Sequence, residues 1–200
     1  MAPLQARSFD NYRAESPEQQ QALERSRNYA NKFNKVMERG ASMIFYGPPG
    51  TGKTHMSCAI ANHVMREFGA SAVFTTVFEM FQQLKSTYGG KATKSELEVM
   101  NLYAGVDLLV LDEIGVQLGS NFESVMITDI INRRYSDMKP TLILSNLDLE
   151  GLKKYLGERV IDRMSEGGGG MIAFNWASYR PKVMGDDDLP KGTYDRPDWL

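Results

Sequence analysis

The segment Gly47-Pro-Pro-Gly-Thr-Gly-Lys-Thr54 constrains this chain more than any other. It matches the pattern GxxxxGK[ST], follows the apolar run Ser42-Met-Ile-Phe-Tyr46, and opens a stretch of helical periodicity. A strand that runs through a glycine turn into a helix sets amide N–H groups around a concavity, and the helix start adds its dipole. Glycine is the residue type this needs, because the backbone must bend tightly and close on an anion. The pattern implies a triphosphate cradle in which Lys53 reaches the β- and γ-phosphates and the Thr54 hydroxyl ligates Mg2+. The bland alternative, a turn that merely joins strand to helix, needs the pattern to arise by chance. Residue frequencies put that at roughly 1% for a chain of this length.

Around this motif the chain alternates. Five β-rich segments, at 42–46, 72–77, 108–111, 141–145 and 171–175, read as strands. Helical patterns occupy 53–68, 78–88, 95–103, 122–138 and 152–166, with Ser95 and Glu98 able to form a capping box. Such alternation predicts an α/β fold with a largely parallel sheet covered on both faces. Ahead of it, residues 17–36 read as one helix that Ser16 caps, Pro17 opens and Arg39-Gly40 ends. The four glycines at 167–170 read as a turn too flexible for any element. The chain thus divides into a lead-in segment with a helix (1–40), a catalytic core (41–183) and an acidic, loosely attached tail (184–200).

Composition removes several classes. A 42% hydrophobic and 24% charged sequence is that of an ordinary globular chain. Its apolar runs are strand-sized, far below the roughly 20 residues that span a bilayer. Cys58 is the one cysteine and residues 1–12 lack the apolar core of a signal peptide, so a reducing cytoplasm is expected. The net charge of −2 argues against nucleic-acid binding by overall electrostatics. Any DNA site must be local, and Asp186, Asp187 and Asp188 hold part of the acid in the tail.

Further candidates lie at strand ends, where open α/β sheets bind ligands. Leu108-Leu-Val-Leu111 runs into Asp112 and Glu113. Asp112 suits the metal ion's water shell, and Glu113 suits a base that orients an attacking water. Read alone, the two acids could simply cap a strand. Asn146, after 141–145, either hydrogen-bonds the lytic water or γ-phosphate, or simply opens a turn. Arg159 and Arg163 stand four apart on one helix face, an arrangement of like charges that invites an anionic partner. Asp162 is the local alternative for Arg159; an arginine finger delivered to a neighbouring subunit is the sharper reading. Arg180 is a candidate second nucleotide sensor, while Trp176 and Tyr179 read as packing.

GPPGTGKTH, LLVLDEIGVQ, LGERVIDRM and FNWASYR together resemble the AAA+ ATPases that load bacterial replicative helicases, the DnaC type, from Ser8 to about Val183. Transposition ATPases of the IstB type share much of the pattern. The resemblance implies an AAA+ P-loop NTPase with a parallel five-stranded sheet in the order 5-1-4-3-2 and ATP with Mg2+ at subunit interfaces. It also implies single-stranded DNA in the pore of a spiral assembly. The nucleotide set becomes Gly47, Pro48, Pro49, Gly50, Thr51, Gly52, Lys53, Thr54, His55 and Arg180, with Thr54 and Asp112 at the metal. Glu113, Asn146 and Arg163 take the catalytic roles, with Arg159 supporting the finger.

DNA contacts in such loaders come from the helices after the second strand and after the acidic strand. Those positions here are Lys85 and Tyr88, then Ser120 and Phe122. A cation beside a ring suits single strands, because bases stack while the cation neutralises phosphate. A solvated helix end and an ordinary core anchor are the bland readings of the same residues. Loaders of this type also carry an N-terminal domain that grips the helicase, whereas the residues ahead of Ser42 resemble the start of the ATPase domain. The second functional reading is an ATP-switched adaptor that assembles on duplex DNA.

Overall fold

A computed structural model describes residues 4–88, 93–115 and 121–179, with the side chains of Asn121 and Phe122 outside that description. The expected tail, Arg180 and Ser120 fall outside it as well. Five strands form one parallel sheet: β1 (Met43–Tyr46), β2 (Ala72–Thr76), β3 (Leu108–Ile114), β4 (Thr141–Ser145) and β5 (Gly170–Ala173). Their order is β2-β3-β4-β1-β5, which is 5-1-4-3-2 read from the other edge, as the resemblance implied.

Period-two alternation builds a core on each face. Met43, Phe45, Leu108, Val110, Leu142 and Leu144 point to one side, where they meet α1 (Pro17–Asn31), α2 (Phe33–Arg39) and α3 (Lys53–Phe68) through Leu23, Phe33, Met56, Ile60 and Val64. Ile44, Leu109, Leu111 and Ile143 point to the other. There they pack on α4 (Val77–Lys85), α5 (Glu96–Gly105), α6 (Asn121–Ser136), α7 (Leu149–Leu156) and α8 (Glu158–Ser165). Side chains from the lead-in segment, Phe9 among them, join the first core.

Several expected boundaries are corrected. The single helix over 17–36 is two, because the backbone at Lys32 leaves helical geometry (φ −106°, ψ 28°) and lets Phe33 and Val36 enter the core. Gly157, with φ 82°, splits the helix expected over 152–166 into α7 and α8. The strand at 108–111 continues to Ile114, and Val77 belongs to α4 instead of β2. The glycines at 167–170 are crowded, not loose. A Cβ on Gly167 would stand 2.2 Å from the Arg39 carbonyl oxygen, and one on Gly169 would stand 2.4 Å from those of Met164 and Ser42. These residues form a 3-10 turn (Glu166–Gly168), and Gly170 already pairs with Met43. The capping box at Ser95 and Glu98 is present.

Candidate functional site

The phosphate loop leaves β1 at Tyr46 and enters α3 at Lys53. Gly47, Gly50 and Gly52 carry φ of 128°, 80° and 98°, values that β-carbons disfavour, so the tight turn depends on them. Crowding adds to this at Gly52, where a Cβ would meet the Tyr12 ring at 2.9 Å. The Lys53 ammonium lies under the loop, donating to the carbonyls of Gly47 (2.6 Å) and Pro48 (2.8 Å). Thr51 is buried and donates to the Pro48 carbonyl at 2.9 Å, whereas Pro48 and Pro49 are exposed.

Thr54 and Asp112, far apart in sequence, meet here: the Thr54 hydroxyl donates to the Asp112 carboxylate at 3.0 Å. A hydroxyl and a carboxylate side by side are hard oxygen donors of the kind Mg2+ takes beside phosphate oxygens and water. Burial pushes the Asp112 carboxyl up from its ordinary range. The Glu113 amide, the Thr54 hydroxyl and the charges of Lys53 and Arg7 pull the other way.

Asp112 and Glu113 sit in an irregularity of the sheet. Leu111 pairs with Ile143 but Ile114 pairs with Ser145, so three steps on β3 oppose two on β4. One residue is extra, the definition of a bulge, a device that re-aims side chains beside active sites. Glu113 carries φ 63°, rare for a residue with a β-carbon, and its amide donates to the Asp112 carboxylate at 2.7 Å. Its side chain is consequently exposed while Asp112 is half-buried. Ser145 clips the bulge to β4, donating to the Ile114 carbonyl at 2.7 Å and accepting from the Leu147 amide at 3.1 Å.

Asn146 is exposed in the turn after Ser145, and Ser145 is the register partner of Tyr46. It therefore stands beside the first residue of the phosphate loop. The turn reading is also satisfied, because Asp148 caps α7 through the Gly151 amide at 2.8 Å. Arg159 is exposed in the first turn of α8, and among the described residues no ion pair joins it to Asp162. Arg163 lies at the other end of the sheet, in a crevice with Ser42 and Thr141, which precede β1 and open β4. From Ser42 to Gly47 is about 16 Å of strand, so Arg163 does not approach its own phosphate loop. Lys85 and Tyr88 are exposed near the end of α4, and the Tyr88 hydroxyl donates to Glu96 at 2.9 Å.

Sequence reasoning missed the braces of the loop. The Trp176 indole N–H donates to the Thr51 carbonyl at 2.8 Å, and the Tyr179 amide donates to the Gly50 carbonyl at 2.9 Å. Arg13 reaches the Tyr179 hydroxyl at 3.3 Å, so the lead-in segment closes the ring of contacts. Tyr12 packs edge-on against His55, whose Nε2 contacts the Ser8 carbonyl at 3.0 Å. Their signal was present only as the conspicuous strings around Tyr12 and Trp176; local periodicity assigns them no partner.

Burial, with Arg7 nearby, holds the His55 pKa below its ordinary 6.5, against the opposing pull of the Ser8 carbonyl. A base whose folded pKa is depressed contributes stability that is complete above its unfolded value and is lost as pH falls through the folded one. Thermal melts from pH 7.5 to 5 should therefore show a loss of stability below about pH 6.5. His55→Gln, which keeps an N–H for Ser8, is expected to flatten that part of the profile. An unchanged slope would mean that another group sets it.

The sheet order and the phosphate loop define an AAA+ P-loop nucleoside triphosphatase fold. Residues 11–167 match the family described as IstB-like ATP binding protein. The chain belongs to that family. It is 44% identical over 180 residues to the replicative helicase loader DnaC of Buchnera aphidicola subsp. Baizongia pistaciae, covering 90% of this chain and 72% of that protein. Against the DnaC loader of Escherichia coli K12 the identity is 43% over 180 residues, with 90% and 71% covered. A crystal structure of the DnaC helicase loader superposes with a TM-score of 0.75 at 25% identity, covering 86% of this chain and 99% of that one.

Proposed function

We propose that the chain is an ATP-hydrolysing helicase loader of DNA replication, acting in the cytoplasm. The observation that carries this reading is the identity of 43–44% with DnaC loaders across nine-tenths of the chain. Residues 41–183 form its ATPase domain, 1–40 the lead-in and 184–200 a tail. ATP binds from Gly47 to His55, with Arg180 as a further contact. Lys53 exchanges its loop carbonyls for phosphate oxygens, and Thr54 and Asp112 hold Mg2+, which neutralises charge on the phosphates. Glu113 orients the attacking water, Asn146 contacts it or the γ-phosphate, and Arg163, supported by Arg159, completes the site of a neighbouring subunit in a spiral assembly. The position of Arg163 at the sheet end remote from its own loop supports action in trans. Lys85, Tyr88, Ser120 and Phe122 contact single-stranded DNA, and a replicative helicase is the protein partner.

A second reading, which the resemblance to IstB-type transposition ATPases implies, is an ATP-switched adaptor on duplex DNA. Fluorescence anisotropy with a labelled single strand and its duplex, with ATP, with ADP and without nucleotide, at two salt concentrations, separates the two. The loader reading expects ATP-dependent preference for the single strand and weakening of it by Tyr88→Ala. Preference for duplex would transfer the chain to the adaptor reading. Binding in no nucleotide state would remove DNA from the proposal.

A further inference from the structure

Three arginines near the sheet's amino-terminal edge are treated differently. Arg133 pairs with Asp129 at 2.9 Å, and Arg134 is fully buried among backbone carbonyls. Arg163 is half-buried, and among the described residues no carboxylate lies within ion-pair distance of it. Neutral groups hold it instead. One Nη donates to the Asn132 side-chain oxygen, and the guanidinium carbon stands 5.1 Å from the centre of the Tyr135 ring. Asn132 and Tyr135 are three apart on α6 and so share a face. The Tyr135 hydroxyl in turn donates to Glu166, three residues beyond Arg163, which fixes the ring against the end of α8.

We infer that Asn132 and Tyr135 are positioning residues that hold Arg163 oriented but not neutralised, ready for a phosphate outside its own chain. The inference rests on the trans reading of Arg163. An amide oxygen occupies one of five guanidinium N–H donors and the ring sets the plane, leaving donors and full charge for an anion. A carboxylate in the place of Asn132 would orient the group equally well and cancel the charge it is meant to deliver. The arrangement also lowers the ordering cost of a long side chain before the neighbouring nucleotide arrives.

The test mixes two inactive proteins and reads ATP turnover. Arg163→Ala supplies an intact phosphate site, and Glu113→Gln supplies an intact arginine. Mixing them should restore hydrolysis. Adding Asn132→Ala or Tyr135→Leu to the Glu113→Gln protein should cut the restored rate by roughly 10- to 100-fold. The same substitutions added to the Arg163→Ala protein, where no arginine remains to be placed, should leave the rescue intact. Tyr135→Phe in the Glu113→Gln protein keeps the ring and should retain most of the rate. Equal losses from either side would reduce both residues to supports of the fold, and undiminished rescue from substituted donors would overturn the proposal. No rescue by unsubstituted Glu113→Gln protein would remove the trans reading itself, and the platform with it.

Discussion

Glu113→Gln protein should bind ATP as the parent does and hydrolyse it more slowly by roughly 100- to 10,000-fold, the loss expected when a positioned base is removed. The substitution keeps the side chain's shape and its β-carbon. The left-handed backbone at φ 63° and the bond from the Glu113 amide to Asp112 are therefore unaltered, and the thermal midpoint should not move. A strained conformation of this kind costs on the order of 1–3 kcal/mol and persists where the surroundings enforce it. Glu113→Gly should consequently melt higher while being equally inactive. Binding of a fluorescent ATP analogue alongside steady-state phosphate release distinguishes the losses. Turnover near the parental rate in Glu113→Gln would take the water-orienting role away from this residue.

Arg134→Met should destabilise the fold by about 3–5 kcal/mol, because several buried acceptors lose their donor and each such loss costs about 1–3 kcal/mol before relaxation. The guanidinium is wholly enclosed and donates to the carbonyls of Tyr103 (2.9 Å), Ala104 (3.1 Å), Val106 (2.8 Å) and Pro140 (2.6 Å), and to the Thr141 hydroxyl (3.0 Å). Those acceptors include the last carbonyls of α5, which a helix leaves without internal donors. Burial lowers the pKa to about 10, so the group remains a cation at neutral pH. Methionine fills similar volume and donates nothing, leaving several enclosed acceptors unsatisfied. Lysine would keep the charge but not the planar fork, and should recover only part of the loss. Urea titration gives the number, and a change below about 1 kcal/mol would show that water replaces the guanidinium without penalty.

How legible the molecule was in its sequence depended on range. α3 and β4 fall at their expected bounds, because a phosphate loop, a three-residue apolar run and flanking breakers are local signals. Sheet order came from family resemblance; alternation alone permits other orders. The bulge at Asp112 and Glu113 was invisible, since a run of buried residues carries no trace of which neighbour each one faces. Arg134 reads as half of a basic pair at a helix end, and only the packed fold distinguishes it from the exposed Arg133 beside it. Trp176 and Thr51 meet across 125 positions, and no period in the sequence encodes such a contact. Crowding at Gly167 and Gly169 was likewise mistaken for freedom, because glycine serves both.

With Arg163 acting in trans as proposed, its separation from its own phosphate loop would give each copy a donor end and an acceptor end. Copies joined on that pattern meet head to tail, and such contacts close into a ring or remain open. In an open row of n copies, n − 1 active centres would be complete and one at the end would be left without its arginine. A single copy would complete none. Turnover per copy would then scale as (n − 1)/n, and a protein seated on the unserved end would both cap the row and decide whether its last nucleotide is spent.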